Sequence, residues 1–176
     1  MPVQLDKKKV AILLEDLFEE SEFLYPFYRL QEAGAQVIVV GAGEARSYTS
    51  KHGLVIPVDK PARELNPADV AAVIVPGGYA PDRMRRHPEM LALVRALFEQ
   101  GKPVALICHG PWVAISAGIV KGKRMTSFYA IRDDVLNAGA QWVDEPVVVD
   151  GNLISARGPA DLPAFGAAIV RALGLR

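Results

Sequence analysis

The chain has 176 residues, 51% of them hydrophobic, with 20 Lys plus Arg against 20 Asp plus Glu. A chain of this length and apolar content folds around a core, which excludes disorder, and its zero net charge excludes a dedicated binder of nucleic acid or of an anionic membrane. No apolar stretch approaches the ~20 residues of a membrane span, the first nine residues carry no apolar signal core, and one cysteine, Cys108, leaves no internal disulfide, so a single domain over 1–176 in the cytoplasm is expected.

In chain order, Val10–Leu14 is a short apolar run bounded by Lys9 and Glu15. Glu19–Ala33 has helical spacing, with Phe23, Leu24, Phe27 and Leu30 on one face and Gly34 as its terminator. Val37–Val40, closed by Gly41, and Ala71–Val75, ending at Pro76-Gly77-Gly78, are further apolar runs. Pro88–Gln100 carries Met90, Leu91, Val94 and Leu97 at helical spacing before Gly101. Val104–Ile107 runs directly into Cys108, with a helix predicted over Pro111–Ala117. Residues 129–138 and Ala160–Leu173 read as two more helices. Between them, Pro146–Val149 and Asn152–Ser155 flank Asp150-Gly151, a type I′ hairpin signal. Apolar runs without alternation suit strands buried on both faces. The expected fold is therefore α/β: a flavodoxin-like, doubly wound, mostly parallel sheet sandwiched by helices, with one antiparallel addition.

Ligands of open α/β sheets bind outside the carboxyl ends of the strands. Three such ends hold Glu15–Glu20, Pro76–Gly78 and Cys108–Pro111. A buried strand leading into Cys108-His109-Gly110-Pro111 and a helix resembles a nucleophile elbow, although Leu106 stands where such elbows usually have a leading Gly. A thiol at a helix N-terminus is expected to have a lowered pKa and a raised thiolate fraction. His109 is placed to act as base or orienter if the elbow bends it toward the thiol. Of Glu15, Asp16, Glu19, Glu20 and Glu22, most complement the helix dipole, while one facing the thiol would be a protonated acid. Gly77 and Gly78 offer unobstructed N–H groups for an oxyanion. Arg83, Arg85, Arg86 and His87 read as a solvated basic cluster. His52, His87 and His109 with one Cys match no metal spacing, and no phosphate loop is present, so neither metal nor cofactor is expected.

On these residues the chain resembles the ThiJ/PfpI superfamily, and within it the PfpI-like intracellular cysteine peptidases and deglycases, from about Lys9 to Leu173. Its carriers are Phe18-Glu19-Glu20 with Glu22, Lys51-His52-Gly53, Val75-Pro76-Gly77-Gly78, Ile107–Pro111, Val148–Asn152 and Pro159-Ala160-Asp161. The resemblance implies Cys108 as nucleophile, Glu19 as the protonated carboxyl touching its sulfur, and oxyanion amides from the Gly77 and Gly78 region. It implies an acid that pairs with His109 across a subunit boundary, hence a homodimer or higher homo-oligomer. That position reads Asp82, where the family pattern has Glu, and Phe128 stands where a Tyr usually lies, with Tyr129 beside it. The implied activity is Cys-dependent: glyoxalase- or deglycase-like action on a small carbonyl compound or a modified protein or peptide, with peptidase activity second. A stress protein that senses oxidation, or a holdase chaperone, is the alternative.

Overall fold

A computed structural model describes residues 4–43 and 45–174; the start of the N-terminal segment read for a signal lies outside them. The strands β1 (Lys9–Leu14), β2 (Gln36–Gly41), β6 (Ala72–Val75), β7 (Val104–Ile107) and β11 (Leu153–Ala156) form the parallel centre of a seven-stranded sheet. With the edge strands β5 (Lys60–Pro61) and β10 (Val147–Asp150), the order is β10-β11-β7-β6-β1-β2-β5, and only β10 runs antiparallel. Residues Ala72–Val75 and Val104–Ile107 are completely inaccessible, so an alternating pattern would have placed polar groups in the core.

The chain leaves β1 toward β2 in one direction and toward β6 and β7 in the other. Right-handed crossovers therefore put α1 (Glu20–Glu32) and the helices between β6 and β11 on opposite faces. On one face α1 packs against α6 (Leu162–Gly174). On the other lie α2 (Ala80–Met84), α3 (Pro88–Glu99), α4 (Pro111–Ala117) and α5 (Arg132–Asn137). Gly34 ends α1 at φ +89°, a conformation that a side chain disfavours. No helix among the described residues is long and apolar enough to cross a membrane.

Two local expectations are corrected, and two short strand pairs are added. The buried face of α1 is Glu22, Phe23, Pro26 and Leu30, rotated from the expected one, so Leu24 and Phe27 are only half-buried. The terminal hairpin pairs Asp150 with Leu153, so its turn residues are Gly151 and Asn152 rather than Asp150 and Gly151. The small antiparallel hairpin of β3 (Ser47–Thr49) and β4 (Val55–Pro57) was not legible, because Tyr48 is its one buried residue. Likewise β8 (Arg124–Met125) and β9 (Gln141–Trp142) are a parallel pair of two residues each, too short for any periodicity.

The hairpin turn also braces the strand that carries the thiol. Asn152 Nδ2 donates to the carbonyls of Phe98 at 2.9 Å and Lys102 at 2.8 Å, tying the turn to the connection from α3 to β7. Two half-buried hydrogen bonds at about 0.5–1.5 kcal/mol each predict that Asn152→Ala lowers unfolding free energy by about 1–3 kcal/mol. The urea midpoint at unchanged m-value checks this; an unmoved midpoint contradicts it.

Candidate active site

The strand order reverses between β1 and β6, and the loops leaving β1, β6 and β7 meet there. The first two are laced together: Glu19 N–H donates to the Gly77 carbonyl at 3.3 Å, Tyr79 N–H donates to Leu17 at 2.9 Å, and Phe18 pairs with Gly78 as an isolated antiparallel bridge. Gly78 sits at φ +74°, and a Cβ there would lie 2.5 Å from the Leu17 carbonyl, so only glycine lets the loops touch. The third loop is an elbow. Cys108 has φ +61°, a strained value for a residue with a side chain. Its N–H donates to Ala156 at 3.0 Å, and its carbonyl accepts from Phe128 at 2.9 Å. A Cβ on Gly110 would meet the Val75 carbonyl at 2.7 Å, which explains a small residue two positions after Cys108 even though Leu106 replaces the leading Gly.

Above this elbow is a cleft of about 300 Å³ whose walls include Lys51, Tyr79, Phe128 and Pro159. Cys108 is 8% exposed at its floor. His109 Nδ1 lies 3.2 Å from Cys108 Sγ, so the elbow bends together two side chains that regular structure would separate. Burial first, and the Lys51 charge second, lower the pKa of His109 and favour the neutral imidazole.

The carboxyl on the sulfur is Glu22, not Glu19. Glu22 is fully buried, and its Oε2 accepts from the Gly77 N–H at 2.7 Å. Its Oε1 is buried with no hydrogen-bond partner, and the carboxyl lies beside Cys108, since a Cβ on Gly77 would touch both Glu22 Oε2 and Cys108 Cβ. Burial raises the Glu22 pKa to about 7, against the pull of the Gly77 N–H. Glu19 instead accepts from Lys51 Nζ at 3.0 Å and from Ser21 Oγ at 3.1 Å at the cleft mouth. The signal was present in the sequence: Glu22 precedes Pro26 and Leu30 by one and two steps of four, so it shares the face that α1 buries.

Two further expectations change. The Gly77 amide is committed to Glu22 and is not open to an oxyanion, whereas the N–H groups of Gly78 and His109 point at the sulfur. The thiol pKa is not lowered. Burial and then the charge on Glu22 push it up to about 12, outweighing those two N–H groups and the end of a seven-residue helix. Burial raises both groups and the Glu22 charge raises the thiol further, so two negative charges side by side are disfavoured. A thiolate at Cys108 is then favoured when Glu22 carries the proton.

Asp82 is half-buried on α2 and hydrogen-bonds Arg86 within the chain rather than His109. His109 is instead flanked by rings, with centroids 5.0 Å away at Trp112, 5.1 Å at Phe128 and 6.4 Å at Tyr79. Lys51 was missed as a site residue. It is held over the cleft because Glu20, one residue beyond Glu19, clamps Ser50 and His52 on either side of it. Burial pushes Glu20 up, but hydrogen bonds from Ser50 and His52 bring it down to about 2. Among the described residues, no group of three or more His, Cys, Asp or Glu side chains is arranged to hold a metal ion.

The model of the DJ-1/PfpI family matches residues 8–172. The chain is 44% identical over 165 residues to a protein of Pyrococcus furiosus named Deglycase PfpI, covering 94% of this chain and 99% of that one. It is 40% identical over 169 residues to Protein/nucleic acid deglycase 2 of Escherichia coli, covering 95% and 98%. The crystal structure of a two-domain Anabaena variabilis protein with DJ-1/ThiJ/PfpI-like and ferritin-like domains superposes with a TM-score of 0.93 at 46% identity. That match covers 96% of this chain and 48% of the Anabaena protein.

The shared proton predicts a distinctive pH profile. Alkylation of Cys108 by iodoacetamide should rise as the pair loses its first proton near pH 7, then stay flat, because the thiolate fraction within the monoanion does not depend on pH. Glu22→Gln removes the inflection near 7, while Glu19→Gln keeps it. A single rise centred at or above the ~8.5 of a free thiol, unchanged by Glu22→Gln, contradicts the pairing.

Proposed function

The chain belongs to the DJ-1/PfpI family, and on that premise we propose that it is a Cys108-dependent enzyme acting on reactive carbonyl compounds or their adducts on proteins. The observation that carries this reading is Cys108 buried on the elbow beside the buried Glu22 carboxyl, with His109 Nδ1 3.2 Å from the sulfur. A relative named deglycase supports the same chemistry.

In the proposed reaction, the thiolate tautomer adds to the aldehyde carbon of a 2-oxoaldehyde. The C–S bond forms, the carbonyl electron pair moves to oxygen, and that oxygen takes the Glu22 proton while the Gly78 and His109 N–H groups face it. His109 removes the proton from the former aldehyde carbon and returns it to the neighbouring carbon, while the hydroxyl proton moves to the neighbouring oxygen, which leaves a thioester. Water then cleaves the thioester and restores the thiol. One carbon is oxidised and its neighbour reduced, so the net change is addition of one water without an external oxidant. On an aminocarbinol adduct the thiolate displaces the amine: the C–S bond forms, the C–N bond breaks, and the amine leaves with the Glu22 proton, giving the same hemithioacetal.

Peptide hydrolysis ranks second. It requires an oriented imidazole to protonate a poor leaving group, and Asp82 from a second copy would have to release Arg86 and reach His109 with one methylene fewer than Glu. We place the enzyme in the cytoplasm as a homo-oligomer on the same reading. Methylglyoxal turnover should exceed casein cleavage, Cys108→Ser should abolish it by about 10³-fold or more, and Asp82→Glu should raise the casein rate. Lactate formation and peptide release measure the two. Robust Cys108-dependent casein cleavage by the natural sequence reverses the ranking, and methylglyoxal turnover that survives Cys108→Ser refutes the mechanism.

A further inference from the structure

A second cavity, of about 450 Å³, adjoins the cleft and shares Phe128 and Pro159 with it. Its other walls include Trp142 and Tyr129, and its polar groups are Asp144, Arg157 and Asp161. None of these takes part in the chemistry above.

Three features define what this cavity suits. Its walls are aromatic faces: Phe128 and Tyr129 lie with centroids 4.8 Å apart, and Trp142 is fixed by its Nε1 donating to Ser127 Oγ at 3.0 Å. Its polar groups carry a net negative charge. Arg157 is gripped by both Asp161 oxygens, at 2.9 and 3.1 Å, and by Asp144 at 2.9 Å, so two carboxylates surround one guanidinium. The Asp144 side chain is 69% exposed, which leaves it accessible to a further donor. Finally, Trp142 already takes a guanidinium on its ring, because Arg132, which is not a wall of the cavity, lies with Cζ 5.4 Å from the centroid. Aromatic faces beside an uncompensated carboxylate select a planar cation over a neutral or anionic group.

We infer that this cavity is a subsite for an arginine side chain adjacent to the reacting group, so that the enzyme prefers carbonyl adducts on protein segments where the modified residue has an arginine neighbour. The shared wall puts the two cavities within the reach of neighbouring side chains, since consecutive residues are spaced by about 3.3–3.6 Å in an extended segment. The inference rests on the proposed carbonyl-adduct chemistry and deepens it by naming the class of substrate.

The test uses two peptides that differ at one position, each with a methylglyoxal-modified lysine followed by arginine or by its neutral isostere citrulline. The natural protein should favour the arginine peptide about five- to tenfold in kcat/KM, between an exposed and a fully desolvated cation–π contact. In Asp144→Asn that ratio should fall toward one. Asp144 is exposed, and Arg157 keeps both contacts with Asp161 in this variant, so its fold is retained. Calorimetry of the unmodified Lys-Arg and Lys-citrulline peptides on Cys108→Ser reads the subsite without turnover. If the natural protein turns over neither peptide nor methylglyoxal but Cys108→Ser still prefers the arginine peptide, the proposed function fails and the subsite stands. Equal rates and equal binding for arginine and citrulline overturn the subsite. So does an Asp144→Asn variant whose oligomeric mass changes in place of its selectivity, since the cavity then belongs to a contact between copies.

Discussion

A carboxyl and a thiol buried against each other can hold only one charge between them, and the site is arranged around that restriction. Glu22 reaches Cys108 because α1 turns its face of Glu22, Pro26 and Leu30 into the sheet, and because the β6 loop leaves no side chain in the way. A Cβ on Gly77 would lie 2.5 Å from Glu22 Oε2 and 2.6 Å from Cys108 Cβ. Cys108 pays for its position with a left-handed backbone, and its N–H donating to Ala156 on β11 and its carbonyl accepting from Phe128 hold it there. Loss of any of these would separate the two groups and let each titrate alone.

Three glutamates at the start of one helix have three different fates, set by what they face. Glu19 meets the Lys51 ammonium at the cleft mouth. Glu20 holds the hairpin tip through Ser50 and His52 and is brought to about 2. Glu22 points into the apolar interior and rises to about 7. The result is a cleft in which Glu19 balances Lys51, His109 is held neutral, and the uncompensated charge is the one shared by Cys108 and Glu22.

Much of this was legible in the residues. The runs Val10–Leu14, Ala71–Val75 and Val104–Ile107 lie within a residue of β1, β6 and β7, since strands buried on both faces allow little but aliphatic side chains. The elbow at Cys108 was legible for the same reason: a buried strand, a thiol and a small residue follow in order. The choice between Glu19 and Glu22 was harder. Phe23, Leu24, Phe27 and Leu30 suggest one helix face, but the burial of Pro26 rotates that face by enough to exchange a solvent carboxylate for a core one. The direction of the thiol shift was illegible in principle. A helix N-terminus is visible in a sequence, whereas the burial and the facing carboxylate that outweigh it belong to the tertiary structure. Lys51 was hidden in a hairpin with strands of three residues each, too short to show a pattern.

The central claim concerns where one proton resides, and infrared spectroscopy reads that directly. Difference spectra between the natural protein and Glu22→Gln, and between it and Cys108→Ser, isolate the carboxylic acid C=O band of Glu22 and the S–H band of Cys108 across a pH series. The account predicts that one or the other band persists at pH 8 to 9, roughly four units above the ~4.3 of an ordinary glutamate. If both bands are absent at that pH, the pair is doubly ionised, and the shared proton on which the site depends does not exist.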